Sequence, residues 1–305
     1  MKVQEGCLLR CSYCIIPTVR PQMSSRPAAE ILDEVRRLID HGYQEIVLTG
    51  IHLGHYGVDF NRHRPKAEWQ RLSHLVEQMV ELPGDFRVRL SSIEATEVTR
   101  ELIDVMAEHP RRVCPHLHVC LQSGSDAVLR RMKRRWGAKR FVDRCHKVME
   151  SLDRPALTTD IIVGFPGETE ADFEATCRVA REVGFSKIHI FPFSPRRTTP
   201  AAEMPDQVVP QVKAERVQRL AELEAELRAQ YFQSLLGQRL DVLIESENSD
   251  ASFGSNRASW LGTACRYAPV EVQAPAGSNP PAVGSIVTVR AQAAAADRIH
   301  AQIDG

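Results

Sequence analysis

Apolar positions along the chain follow two alternating rhythms. Short β-branched runs recur at 45 to 50 (EIVLTG), 86 to 92 (FRVRLSS), 116 to 122 (HLHVCLQ), 157 to 165 (LTTDIIVGF) and 187 to 193 (KIHIFPF), and each predicts a buried strand. Between them, three- and four-residue spacing predicts amphipathic helices over 27 to 41, 69 to 81, 97 to 108, 138 to 151 and 169 to 183, opened by capping or turn residues. Strand–helix alternation implies parallel βα units, whose right-handed crossovers curl a sheet with helices outside. With a short first strand before Cys7, the chain holds about six such units, fewer than a closed barrel requires. The expected fold is therefore α/β, a partial (βα)6 barrel over residues 1 to 210.

The rhythm changes at 211. Val217, Leu220, Leu223, Leu227 and Tyr231 share one face of a helix over 211 to 236, which reads as a linker. Beyond Gly237 the apolar runs shorten and Gly, Ser, Asn and Pro separate them: 239 to 245, 259 to 266, 269 to 274 and 285 to 291. That spacing predicts a small all-β barrel over 237 to 305, an architecture that often binds nucleic acid. The stretches 246 to 256 and 275 to 284 read as flexible loops.

Composition narrows the function. With 305 residues and 43% hydrophobic content the chain buries a real core, and no apolar run reaches membrane-spanning length. The N-terminus lacks a secretory layout, so a cytoplasmic protein without a membrane partner is expected. Charge is balanced overall, but residues 128 to 140 gather Arg130, Arg131, Lys133, Arg134, Arg135, Lys139 and Arg140 around Trp136. By itself such a run reads as a solvated helix face. No strand leads into G-x-G-x-x-G, which argues against a dinucleotide-binding oxidoreductase.

The strongest chemical signal is GCLLRCSYC, which spaces Cys7, Cys11 and Cys14 as C-x3-C-x2-C directly after the first strand. Thiolates this close in a loop turn onto one cluster, and three of them leave one iron of a cubane open to another ligand. A structural zinc completed by His41, His52 or His55 is the alternative. The triplet's place at the C-terminal end of a barrel strand, where α/β barrels carry their active sites, favours the cluster. Cys114, Cys120, Cys145, Cys177 and Cys265 are scattered and read as buried thiols.

The cysteine spacing, with Tyr13 before the last cysteine, resembles the radical S-adenosylmethionine superfamily. The words around it, from VQEGC through CIIPTVR to LTGIHLGHYG, resemble the methylthiotransferases of that superfamily. LTGIHLG at 48 to 54 looks most like the branch acting on N6-threonylcarbamoyladenosine in tRNA. RLSSIEATEVT at 89 to 99, HLHVCLQSGSDAVLRRMKR at 116 to 134 and TTDIIVGFPGETEADFEAT at 158 to 176 extend the likeness, and residues 237 to 303 resemble the family's RNA-binding TRAM module.

The resemblance implies a [4Fe–4S] cluster on Cys7, Cys11 and Cys14, with S-adenosylmethionine on the open iron. It implies cleavage of that cofactor to a 5′-deoxyadenosyl radical and insertion of a methylthio group at C2 of the modified adenosine. The implied partners are the tRNA anticodon loop and a flavodoxin- or ferredoxin-like electron donor. Carried residue by residue, the cofactor pocket would take Tyr13, Gly50, Gly54, Gln122, Ser123, Asp160, Gly164 and Phe165. In that reading Gly50 and Gly54 let the backbone approach the methionine end, Gln122 and Ser123 bond ribose or methionine, and Phe165 walls the adenine.

Two departures stand out. The family carries an N-terminal domain with three further cysteines for a second [4Fe–4S] cluster, whose ligands are absent here, so the sequence reads as truncated. PRRTTPA at 195 to 201 stands where the family usually has PRPGTPA. Two other functions stay open: methylthiolation of a ribosomal-protein aspartate, and a non-catalytic iron–sulfur and RNA-binding remnant.

Overall fold

The computed structural model describes residues 1–248, 258–275, 277 and 279–304. Its first eight strands are β1 (Lys2–Glu5), β2 (Ser24–Ser25), β3 (Glu45–Gly50), β4 (Arg87–Leu90), β5 (Ser92–Ile93), β6 (His116–Val119), β7 (Ala156–Val163) and β8 (Lys187–Pro192). Pairing is parallel from β1 to β3, β3 to β4, β5 to β6, β6 to β7 and β7 to β8, while β2 adds an antiparallel edge to β1. Ser91 alone separates β4 from β5, and a parallel bridge between Val88 and Val113 crosses the join. Six parallel positions therefore form one interrupted wall.

Helices α1 (Ile16–Val19), α2 (Ala28–Asp40), α3 (Leu72–Val80), α4 (Arg100–Glu108), α5 (Asp126–Arg131), α6 (Ala138–Ser151) and α7 (Glu170–Val183) connect the strands, and α8 (Pro210–Ser234) follows β8. The start and stop of α7 show how locally these elements are specified. Thr169 accepts from the Asp172 amide while the Asp172 carboxylate takes the Thr169 amide, and Gly184 at φ +68° ends the helix in the left-handed region. Phe173, Cys177, Ala180 and Val183 recur at three- and four-residue spacing and are buried. They join Leu48, Leu90, Val119, Ile161, Phe141 and Phe185 in the main core.

The last five strands, β9 (Arg239–Asn248), β10 (Ser259–Ala264), β11 (Pro269–Gln273), β12 (Ile286–Ala294) and β13 (Ile299–Ile303), close a barrel in the order β10-β11-β13-β12-β9. Leu240, Val242 and Ile244 alternate into its core. Sequence periodicity did not reveal β13, because its inward side alternates Ile299 with the small Ala301 between polar neighbours. Of the first expected loop, 246 to 248 belong to β9 and 249 to 257 lie outside the described residues, as do 276 and 278 of the second.

A buried charge cluster docks the small barrel against the N-terminal ends of the parallel strands. Glu45, the first residue of β3, meets Arg87 at 2.6 Å and Arg89 at 2.8 Å. The remaining guanidinium hydrogens donate to small-barrel carbonyls, Arg87 to Asp241 and Thr263 and Arg89 to Ala264 and Cys265. Tyr267 stacks on His116 with ring centroids 4.3 Å apart. Burial favours the neutral Glu45 carboxyl, but the two guanidiniums outweigh it and hold its pKa below the usual range.

Breaking such a pair strands the partner charges. Glu45→Gln should cost about 3–5 kcal/mol near neutral pH by urea unfolding. A carboxylate with a depressed folded pKa contributes above its unfolded pKa and loses that contribution as pH falls through the folded one. The gap between parent and variant should accordingly narrow below the usual glutamate range, near 4.5.

Candidate metal and cofactor site

The cysteine loop leaves the C-terminal end of β1, opposite the docked barrel. Cys7, Cys11 and Cys14 line one cavity of about 120 Å³ together with Tyr13, His52, Glu94, Cys120 and Arg134. Backbone ties fix the loop: the Ser12 amide donates to the Met132 carbonyl at 3.1 Å, the Ser12 hydroxyl to that of Arg131 at 2.7 Å, and the Ala201 amide to the Ser12 carbonyl at 2.8 Å. Nitrogen donors face the sulfurs. The Leu9 amide lies 3.4 Å from Cys7 Sγ, His52 Nδ1 lies 3.3 Å from it, and Arg134 Nη1 lies 3.6 Å from Cys11 Sγ.

Arg134 reaches the sulfur because α5 stops abruptly. Lys133 adopts φ +57°, its amide donating to the Arg130 carbonyl and the Arg134 amide to that of Leu129. This is a Schellman ending with lysine in the usual glycine position, and it turns Arg134 inward. There Arg134 pairs with Glu94, bonds the Cys120 carbonyl at 3.3 Å, approaches the Tyr13 hydroxyl at 3.5 Å and lies 4.9 Å over the Trp136 ring. Arg131 bonds the Gly167 carbonyl at 2.8 Å. The basic run is thus not the single solvated face its composition suggests: Arg130, Lys133, Arg135, Lys139 and Arg140 are exposed, whereas Arg134 is a wall of the cavity.

Burial pushes the Cys7 thiol up to about 11 and raises Cys14 as well, so these groups hold their protons until a metal replaces them. Three convergent sulfurs with N–H donors and a guanidinium beside them suit an iron–sulfur cluster, whose thiolates take such hydrogen bonds.

Residues 1–180 match the Radical SAM superfamily. The chain belongs to that superfamily. A [4Fe–4S] cluster and S-adenosylmethionine are the cofactors this membership implies. The chain is 42% identical over 245 residues to the threonylcarbamoyladenosine tRNA methylthiotransferase of Bacillus subtilis strain 168, covering 80% of this chain and 53% of that protein. It is 41% identical over 245 residues to the tRNA-2-methylthio-N6-dimethylallyladenosine synthase of Corynebacterium urealyticum, covering 80% and 45%. The chain therefore spans about half the length of the curated relatives it matches. Coproporphyrinogen III oxidase from Escherichia coli, described as a radical SAM enzyme, shares the fold at 16% identity and a TM-score of 0.51, over 74% of this chain and 51% of that one.

The residues expected to form the radical SAM cofactor pocket fall into several places. Tyr13 lines the cysteine cavity and packs edge-on against Phe165 at 6.4 Å, and Phe165 belongs to a small buried cluster with Val128, Met132, Phe193 and Ala201. Asp160 lines a neighbouring inner cavity of about 430 Å³ with residues of β4, β6 and β8. Gln122, at φ +68°, bridges to Ile161 beside it. Ser123 turns to Thr176 on α7 at 3.3 Å. An added Cβ at Gly50 would come 3.1 Å from the Gln4 side chain, at Gly54 it would overlap Glu97, and at Gly164 it would overlap Lys213.

Sequence reasoning singled out His52 and His55 only as zinc ligands and missed Glu94, Glu97 and Arg134. His41 is exposed and bonds the Arg37 carbonyl, away from the cysteines. His52 and His55 stack at 3.6 Å and face Glu97 at 3.4 and 3.6 Å. Burial would raise the Glu97 carboxyl, but the two histidines hold it down at about 2. A cavity of about 490 Å³ lies on the far side of His55 and Glu97 against Tyr56, Trp69, Leu72 and Leu102. Because it does not reach the cysteines, its size is a poor guide to the chemistry.

Two outcomes follow from this geometry. Arg134→Met strands Glu94 and removes the cation beside Cys11, so it should cost about 3 kcal/mol and lower the iron retained per chain after anaerobic reconstitution. Thr198, in the PRRTTPA segment, sits at φ +69°, where the family's glycine would be unstrained. Thr198→Gly should therefore stabilise the chain by about 0.5–1 kcal/mol net of glycine's extra entropy, read as a higher urea midpoint at unchanged slope.

Proposed function

We propose that this chain is the radical-generating part of a tRNA methylthiotransferase acting at C2 of N6-threonylcarbamoyladenosine beside the anticodon. The observation that carries the reading is the 42% identity to the enzyme of that name across 80% of this chain. In this reading Cys7, Cys11 and Cys14 hold the cluster, and Arg134, His52 and the Leu9 amide steady its sulfurs. When bound, the cluster and S-adenosylmethionine supply the radical chemistry. The protein supplies placement.

The inner cavity of about 430 Å³, lined by His116, His118, Asp160, His189 and Phe191, is large enough for a nucleoside and offers polar and apolar edges. An anticodon-loop base can enter it without breaking a duplex. Arg130, Lys133 and Arg135 on one segment, with Arg196 and Arg197 on another, are exposed. The Ser12 hydrogen bonds to Met132 and Ala201 bring both segments to the cysteine loop, where they would meet phosphates. The small barrel takes the RNA-binding TRAM role in this proposal, and a flavodoxin- or ferredoxin-like protein in the cytoplasm supplies the electron. Among the described residues no helix is long and apolar enough to cross a membrane.

A second adenosine substrate is the other reading to weigh. The dimethylallyladenosine synthase of Corynebacterium urealyticum is 41% identical over a stretch of the same length, so identity alone does not rank the two.

Anaerobic reconstitution with iron and sulfide should give one [4Fe–4S] cluster per chain by iron analysis and EPR, lost when Cys7, Cys11 and Cys14 are all replaced by alanine. Dithionite and S-adenosylmethionine should then yield 5′-deoxyadenosine. With the chain expressed in cells deleted for their own methylthiotransferases, any tRNA nucleoside that gains a methylthio group by mass spectrometry names the substrate. Zinc in place of iron sinks the whole reading. Cofactor cleavage with unmodified tRNA keeps the radical core and refutes methylthiolation by this chain alone.

A further inference from the structure

A second set of donors stands behind the cysteine loop. His118 lies in β6 and Cys120 directly follows that strand, so period-two alternation puts both side chains on one side. In β7, Thr158 is the register partner of His118, and Asp160, two residues on, faces the same way. His118 Nε2, Cys120 Sγ and an Asp160 carboxylate oxygen all lie within 4.8 Å of one another. They mark the partition between two spaces: Cys120 lines the cysteine cavity, while His118 and Asp160 line the inner cavity.

The hydrogen bonding of this trio is incomplete in a specific way. His118 Nδ1 is held by Thr158 Oγ1 at 3.0 Å, the same hydroxyl that meets His116 Nε2 at 3.1 Å. His118 Nε2 is buried without a hydrogen-bond partner, although the nearest Asp160 oxygen is 3.3 Å away. Two ligands of a tetrahedral ion, each about 2.0–2.1 Å from the metal, stand about 3.3 Å apart. Metal-binding histidines characteristically fix their other ring nitrogen through a hydrogen bond, as Thr158 does here.

We propose that His118, Cys120 and Asp160 form a divalent-cation site, distinct from the cysteine loop, that takes zinc or ferrous iron. One thiolate, one imidazole and one carboxylate suit a borderline cation rather than magnesium or calcium. Binding exchanges the Cys120 thiol proton for the cation. Three protein ligands leave a fourth position free for water or a substrate atom, the pattern of catalytic rather than structural zinc. His189, the register partner of Asp160, lines the inner cavity beside it. The site stands whether or not the methylthiolation reading holds.

The test uses the full chain with Cys7, Cys11 and Cys14 replaced by alanine, stripped by chelator and titrated anaerobically with cobalt(II). We expect one cobalt per chain, a sulfur-to-cobalt charge-transfer band with intense tetrahedral visible bands, and displacement by equimolar zinc. Cys120→Ser should abolish the charge-transfer band, and His118→Gln and Asp160→Asn should each weaken binding about tenfold or more, with unchanged circular dichroism. A folded triple variant that binds no cobalt overturns the proposal, as does a charge-transfer band that survives Cys120→Ser. If the triple variant unfolds, the same titration on the cluster-loaded parent chain decides, because iron then occupies the loop. Cobalt uptake insensitive to Cys120→Ser in that form refutes the site equally.

Discussion

Arg134 carries a positive charge into the wall of the barrel, and a charge removed from water has to be answered on every side. Glu94 answers it electrostatically, the Trp136 face covers it, and the Cys120 carbonyl and Cys11 sulfur take its hydrogens. The cost of leaving any of these groups unpaired holds the ends of β5 and β6 and the cysteine loop in one arrangement. The turn that points Arg134 inward also presents the Arg131 and Met132 carbonyls to Ser12. One left-handed lysine thus sets both the cation and the loop it serves.

The opposite end of the strands uses the same physics for a different purpose. Glu45 is buried between Arg87 and Arg89, whose remaining hydrogens reach small-barrel carbonyls. Directional hydrogen bonds specify the docking geometry, where an apolar contact would tolerate sliding. The cysteine loop and the small barrel are consequently joined both by α8 and by this cluster.

Much of this was legible in the sequence where the signal is periodic. Short apolar runs mark β3, β6, β7 and β8, with Leu117 and Val119 in β6 and Ile188 and Ile190 in β8 recurring at every second residue. The cysteine triplet is legible because its three thiols lie close together in one loop. Arg134 was not, since a basic run looks alike whether all its members are solvated or one is turned in by a left-handed neighbour. That Gly54 makes room for Glu97 was not legible either, a contact between residues far apart in sequence that spacing does not encode. β13 escaped because alanine packs a small barrel without an apolar signature.

The two ends of the parallel wall are separated by the height of its strands. β7, with eight residues at about 3.3 Å each, sets that separation at about 26 Å. A partner touching both the cysteine mouth and the small barrel has to bend around the flank across that span. On the tRNA reading proposed above, a free nucleoside is too short for that span and a straight duplex too stiff, so simultaneous contact would favour a folded nucleic acid. In that reading the protein's height would act as a caliper on its partner.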